Sequence, residues 1–138
     1  MLIKEVKGQY VKCSDSVASI CYAILKSEST IDQDKEHFWS IGLDASNKVK
    51  YVELVCLGIL NQAVTAPREI FRLAIMEGVL SLIVCHNHPS GSLQPSPEDR
   101  RFTSQIEKAG NIIGIKLLDH VIIGKEGHYS FSDEGVLP

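Results

Sequence analysis

Val79-Leu80-Ser81-Leu82-Ile83-Val84-Cys85, running straight into His86-Asn87-His88-Pro89-Ser90-Gly91, is the stretch on which the reading turns. A run this short and this apolar, rich in branched side chains, predicts a strand covered on both faces. Gly78 ahead of it can end a helix in the left-handed conformation, and Pro89 and Gly91 stop the strand. Successive side chains of a strand point to opposite faces, so His86 and His88 share one face at its end. Asn87 and Cys85 turn to the other.

The neighbouring segments supply the covers. Upstream, Pro67 fits a first helical position and Ile70, Phe71, Ala74 and Ile75 continue a buried stripe. Downstream, Ser96-Pro97 opens a helix carrying Phe102, Ile106 and Ala109, with Gly110 as its predicted stop; residues 112–123 are β-rich, 124–127 form a turn and 128–131 a short last strand. Towards the N-terminus, Val17, Ile20, Cys21, Ile24 and Leu25 recur at helical spacing, so residues 15–28 read as an amphipathic helix capped from Ser14, Asp15 or Ser16. Residues 27–34 read as a polar connection. Phe38–Leu43 and Lys50–Leu57 form a hairpin around the turn chemistry of Asp44-Ala45-Ser46-Asn47-Lys48. The sum is an α/β domain with a mixed β-sheet flanked by helices.

Composition bounds the class. With 138 residues, 44% of them apolar and 22% charged, residues 1–138 are expected to form one domain with its own core. The net charge of -3 argues against a chain built to coat nucleic acid, and Arg100, Arg101, Lys116 and Lys125 form no basic run. Cys13, Cys21, Cys56 and Cys85 lack any CxxC pairing and read as reduced, core-type thiols. Glu5 falls too early for a signal peptide, and no apolar run approaches the roughly 18 residues of a membrane span. A cytoplasmic protein without a membrane partner is the expectation.

The chemistry gathers around His86, His88, Ser96 and Asp99. Two imidazoles leaving a strand end together make half a metal site, and Asp99 in the first turn of the next helix can return across the Pro/Gly-rich loop. Two histidines and one carboxylate form a catalytic zinc shell with a fourth position open. Each half also has a plain structural reading. The histidines could be two polar residues on a strand. Ser96 and Asp99 form a capping box, which helix electrostatics favours on its own.

His-x-His, seven residues, Ser, two residues, Asp is the spacing of the JAMM (MPN, JAB1-type) metalloprotease motif. Together with Pro67-Arg68-Glu69, Pro95-Ser96 and Leu117-Leu118-Asp119-His120, the chain from about residue 35 to 132 resembles the bacterial RadC family. Ala66 departs from the family, which often has a histidine there. The helix-hairpin-helix DNA-binding region at the front of full-length RadC proteins has no room, so the likeness is to the short stand-alone form.

The resemblance implies a JAB1/MPN, cytidine-deaminase-like fold and a zinc ion held by His86, His88 and Asp99. It implies hydrolysis of peptide or isopeptide bonds by metal-activated water, with Ser96 helping to hold the developing oxyanion. It implies a glutamate base ahead of an apolar strand, which Glu36-His37-Phe38 fits. Glu53, a lone carboxylate in the second hairpin strand, is the rival, or else marks that strand's solvent face. A DNA-repair label comes with the family, so a DNA-associated accessory module is the alternative function. Deamination at the same zinc is a third, although the Pro-Cys-x-x-Cys of zinc deaminases is absent. His120 is expected to support the site rather than ligate, Arg68 and Glu69 to form a capping ion pair or touch substrate, and His37 and His128 to be exposed.

Overall fold

The computed structural model describes residues 6–58 and 66–137. Helix α1 spans Ser14–Lys26, a one-turn α2 spans Thr30–Gln33, and α3 and α4 span Pro67–Glu77 and Pro97–Ile113. The strands are β1 His37–Leu43, β2 Val49–Leu57, β3 Ser81–Asn87, β4 Lys116–Ile123 and β5 His128–Ser130. They form one sheet in the order β2-β1-β3-β4-β5. Only β3 and β4, joined by α4, run parallel; the other three pairings are antiparallel.

Side-chain alternation divides the core in two. On one face Trp39, Ile41, Ile83, Cys85, Val121 and Ile123 pack against Val17, Cys21 and Ile24 of α1. On the other, Phe38, Leu82, Val84 and Ile122 pack against Ile70, Phe71, Ala74 and Ile106 of α3 and α4. All seven residues of β1 and of β3 are buried, as a central strand's near-continuous apolar run requires. The expected α/β class and mixed sheet are both present.

Pro67 opens α3 after Ala66, and Gly78 ends it at φ 65°. Helix α4 does not stop at Gly110; it runs to Ile113 and ends on Gly114 at φ 89°. Gly110 is small for a different reason. A Cβ there would lie 2.3 Å from the Ile115 carbonyl oxygen, so its bare backbone lets the chain return closely into β4. The polar 27–34 segment contains α2 because the Ser29 hydroxyl accepts the Asp32 N–H and caps a single turn. Helix α1 starts on Cys13, which offers no side-chain cap and is exposed, unlike the core thiol expected. Cys21 and Cys85 are buried and Cys56 half-buried, and none of the four is in a disulfide. No helix among the described residues is long and apolar enough to cross a membrane.

Candidate metal centre

Strand β3 delivers His86 to the α3/α4 face, where its ring stacks on Phe38 at 5.8 Å. His88 follows on the same side, and its Nε2 lies 2.9 Å from His86 Nε2. The third corner comes from α4. The Ser96 hydroxyl accepts the Asp99 N–H at 3.0 Å, and the Asp99 carboxylate accepts the Ser96 N–H at 2.8 Å. The capping box expected from the sequence is therefore formed, and it aims Asp99. Asp99 Oδ1 sits 3.4 Å from His86 Nε2 and Oδ2 sits 3.3 Å from His88 Nε2. The box that caps α4 is thus also what brings Asp99 to the two imidazoles.

These three groups offer ligand atoms within 4.8 Å of one another, the one such His/Cys/Asp/Glu group among the described residues. Zinc bonded to nitrogen and oxygen at about 2.0–2.2 Å in a tetrahedron separates its ligand atoms by roughly 3.3–3.5 Å. The two histidine–aspartate spacings fall on that edge, and the two imidazoles need open by only a few tenths of an ångström. The donor set fits zinc. Burial opposes the Asp99 charge, yet hydrogen bonds from His86 and His88 outweigh it and hold the carboxyl well below the usual carboxylate range. The same contact with Asp99 raises His88, against the opposing effect of burial.

Glu36 stands one residue before β1 and is half-buried. The β1–β3 ladder ends at the pair Phe38–His86, and Glu36 lies two residues ahead of Phe38. Its charge contributes to the raised His88 pKa. Glu53 is placed differently. It pairs with Ser40 on edge strand β2, where Oε1 is buried without a hydrogen bond. Burial pushes its carboxyl up, with Arg72 of α3 opposing the shift and Glu69 adding to it. Arg68 and Arg72 lie 3.7 and 3.8 Å from Glu69, so the ion pair expected of Arg68 is present, while no side chain caps the start of α3.

The surroundings correct two expectations. His37 is fully buried rather than exposed, with Nδ1 2.8 Å from the Lys35 carbonyl and Nε2 against the Glu28 carboxylate. His128 is half-buried, and its Nε2 meets the Ser14 hydroxyl at 3.1 Å. His120, also fully buried, lies 2.8 Å from His86 through its Nε2, and Asp119 accepts its backbone N–H. Thr103, which no sequence reading singled out, touches His120 at 2.6 Å. Its only signal was a position one turn beyond Asp99 on the same helix. Beside His88 a groove of about 370 Å³ opens between Tyr22, Lys26, Asn87 and Lys125.

A mixed five-stranded sheet with an imidazole pair at the end of β3 and a carboxylate returned by the following helix defines a JAB/MPN-type domain. The chain belongs to the RadC family: residues 11–136 match the family model described as RadC-like JAB domain. It is 46% identical over 106 residues to a UPF0758 protein of Chlorobium chlorochromatii, covering 77% of this chain and 48% of that one. Against a UPF0758 protein of Desulforudis audaxviator the figures are 47% over 103 residues, with 75% and 45% covered. Against one from Listeria innocua they are 38% over 134 residues, with 97% and 58% covered. The chain thus spans about half the length of the curated relatives it matches.

Proposed function

We propose that this domain is a zinc-dependent hydrolase of peptide or isopeptide bonds. The observation that carries the reading is the direction of the ligand atoms. His88 Nδ1 lies 2.8 Å from the Ser92 carbonyl, which can only accept, so that nitrogen bears the proton. Its Nε2 then faces His86 Nε2 and the Asp99 carboxylate with a lone pair whenever the ring is neutral. A ring proton answers the Asp99 carboxylate in the metal-free protein, and a divalent cation at the centre would take its place. Zinc bound there would act as a Lewis acid and bring a water's pKa near neutrality.

The chain's own groups then divide the work. Glu36, whose charge acts on His88, takes the proton of the attacking water and returns it to the departing nitrogen. The Ser96 hydroxyl spends its oxygen lone pair on the Asp99 N–H and keeps its proton free to donate to the developing oxyanion. The proposal is tested by the zinc content of protein purified without chelator and by turnover of a peptide and isopeptide library. Wild type should carry one zinc and cleave, His88→Ala should lose both, and Glu36→Gln should keep zinc and lose turnover. Full zinc occupancy in His88→Ala would contradict the ligand set.

A further inference from the structure

Thr103 sits one turn beyond Asp99 on α4, fully covered, and its hydroxyl donates to the Asp99 backbone carbonyl at 2.7 Å. A hydroxyl has one proton. With that proton committed, Thr103 Oγ1 can only accept from His120 Nδ1, 2.6 Å away, so His120 Nδ1 carries hydrogen. His120 Nε2 is then a bare acceptor as long as the ring is neutral. The ring lies at zero exposure, stacked on Phe131 at 4.7 Å and edged by Phe38 and Phe102. Neither ring nitrogen meets a carboxylate, so a charge at zero exposure among three phenyl rings would be unpaired, and the ring is held neutral. His86 Nδ1, 2.8 Å from His120 Nε2, must therefore be the donor. One proton arrangement satisfies the run from Thr103 to His86 Nδ1, and with His86 neutral it leaves Nε2 as the ligating nitrogen, facing His88 and Asp99.

We propose that His120 and Thr103 form a positioning relay that fixes His86 as the Nε2-ligating tautomer and ties it to the backbone of Asp99. Two ligands from elements separated in sequence are thereby set by one run of hydrogen bonds. A histidine's distal nitrogen is commonly held this way by an acceptor, and loss of such partners weakens metal binding by roughly 10- to 100-fold. The functional consequence rests on the metal reading above; the tautomer itself does not.

Long-range ¹⁵N NMR of the metal-free protein reads the tautomers directly. The relay requires protons on Nδ1 of His86 and of His120, with His120 Nε2 bare. A proton on His120 Nε2 overturns it. Zinc affinity by competition with a chromophoric chelator gives the second readout. Thr103→Val removes the acceptor, frees His120 to reverse, and should weaken zinc roughly 10- to 100-fold, whereas Thr103→Ser should restore wild-type affinity. An unchanged affinity and tautomer in a folded Thr103→Val protein refutes the relay. Wild type that shows the stated tautomers but takes no zinc upholds the relay and refutes the proposed function.

Discussion

The Asn87 side chain grips the chain on both sides of Glu36. Its Oδ1 accepts the His37 N–H, and its Nδ2 donates to the Lys35 carbonyl at 3.0 Å. The residue between the two histidines faces away from the metal centre, yet it fixes the backbone that presents the proposed base. His37 adds to the brace through Nδ1 on the same Lys35 carbonyl. Asn87→Ala should lower kcat about tenfold or more, because small displacements of a catalytic group are costly. Zinc stoichiometry should stay at wild type. Comparing kcat with metal content in one preparation checks this.

Glu36 and Glu53 separate cleanly by mutation. Glu36→Gln should lower kcat by about 10²- to 10⁴-fold, the usual contribution of a general base. Glu53→Gln should leave kcat alone and raise stability slightly at neutral pH. The sign follows from burial: the folded carboxyl titrates above its ordinary 4.5, so ionising it costs stability as pH rises past that value. Denaturant melts at pH 4 and 7 should show the Gln variant's advantage at pH 7 alone.

The pH dependence of stability should change sign with metal. In the metal-free protein His88 titrates above its ordinary 6.5, chiefly through its hydrogen bond with Asp99. Its stabilising contribution is complete below pH 6.5 and is lost as pH rises through the folded value. Zinc needs the neutral ring, so the stabilisation that zinc adds grows over the same interval. Melting temperatures with chelator and with saturating zinc should therefore diverge between pH 6 and 8. Parallel curves would contradict the shared site.

Ser96 carries two roles that mutation can weigh. Ser96→Ala removes the cap on the Asp99 N–H and should cost about 1 kcal/mol. An oxyanion donor lost at the same time lowers kcat by about 10²- to 10³-fold. Ser96→Asp keeps an acceptor for the cap but has no hydroxyl proton. It should hold stability while kcat remains low.

The local parts of this site were legible because they depend on neighbours in sequence. Alternation along β3 set His86 and His88 together, and the Ser96–Asp99 box is a one-turn relationship. The sheet's mixed character followed from a hairpin beside an apolar strand joined to the next by a helix. What escaped was tertiary. His120 meets His86 only because β4 lies parallel to β3, pairing His120 with Val84 and Ile122 with His86. Thr103 meets His120 only because α4 packs over that pair. His37 looked exposed because nothing in its own segment shows that Glu28 will reach it. Gly110 read as the helix stop because nothing local separates a glycine needed for the close return to Ile115 from one needed for the left-handed turn, which falls at Gly114.

The central claim is that His86, His88 and Asp99 together hold a divalent ion. X-ray absorption at the zinc edge of the loaded protein tests it most directly, since the sulfurs of Cys13 and Cys56, the cysteines not fully buried, are the competing ligands. The account predicts a shell of nitrogen and oxygen only, at about 2.0–2.2 Å with imidazole outer scattering. A sulfur neighbour at about 2.3 Å, or no saturable zinc at all, would contradict it.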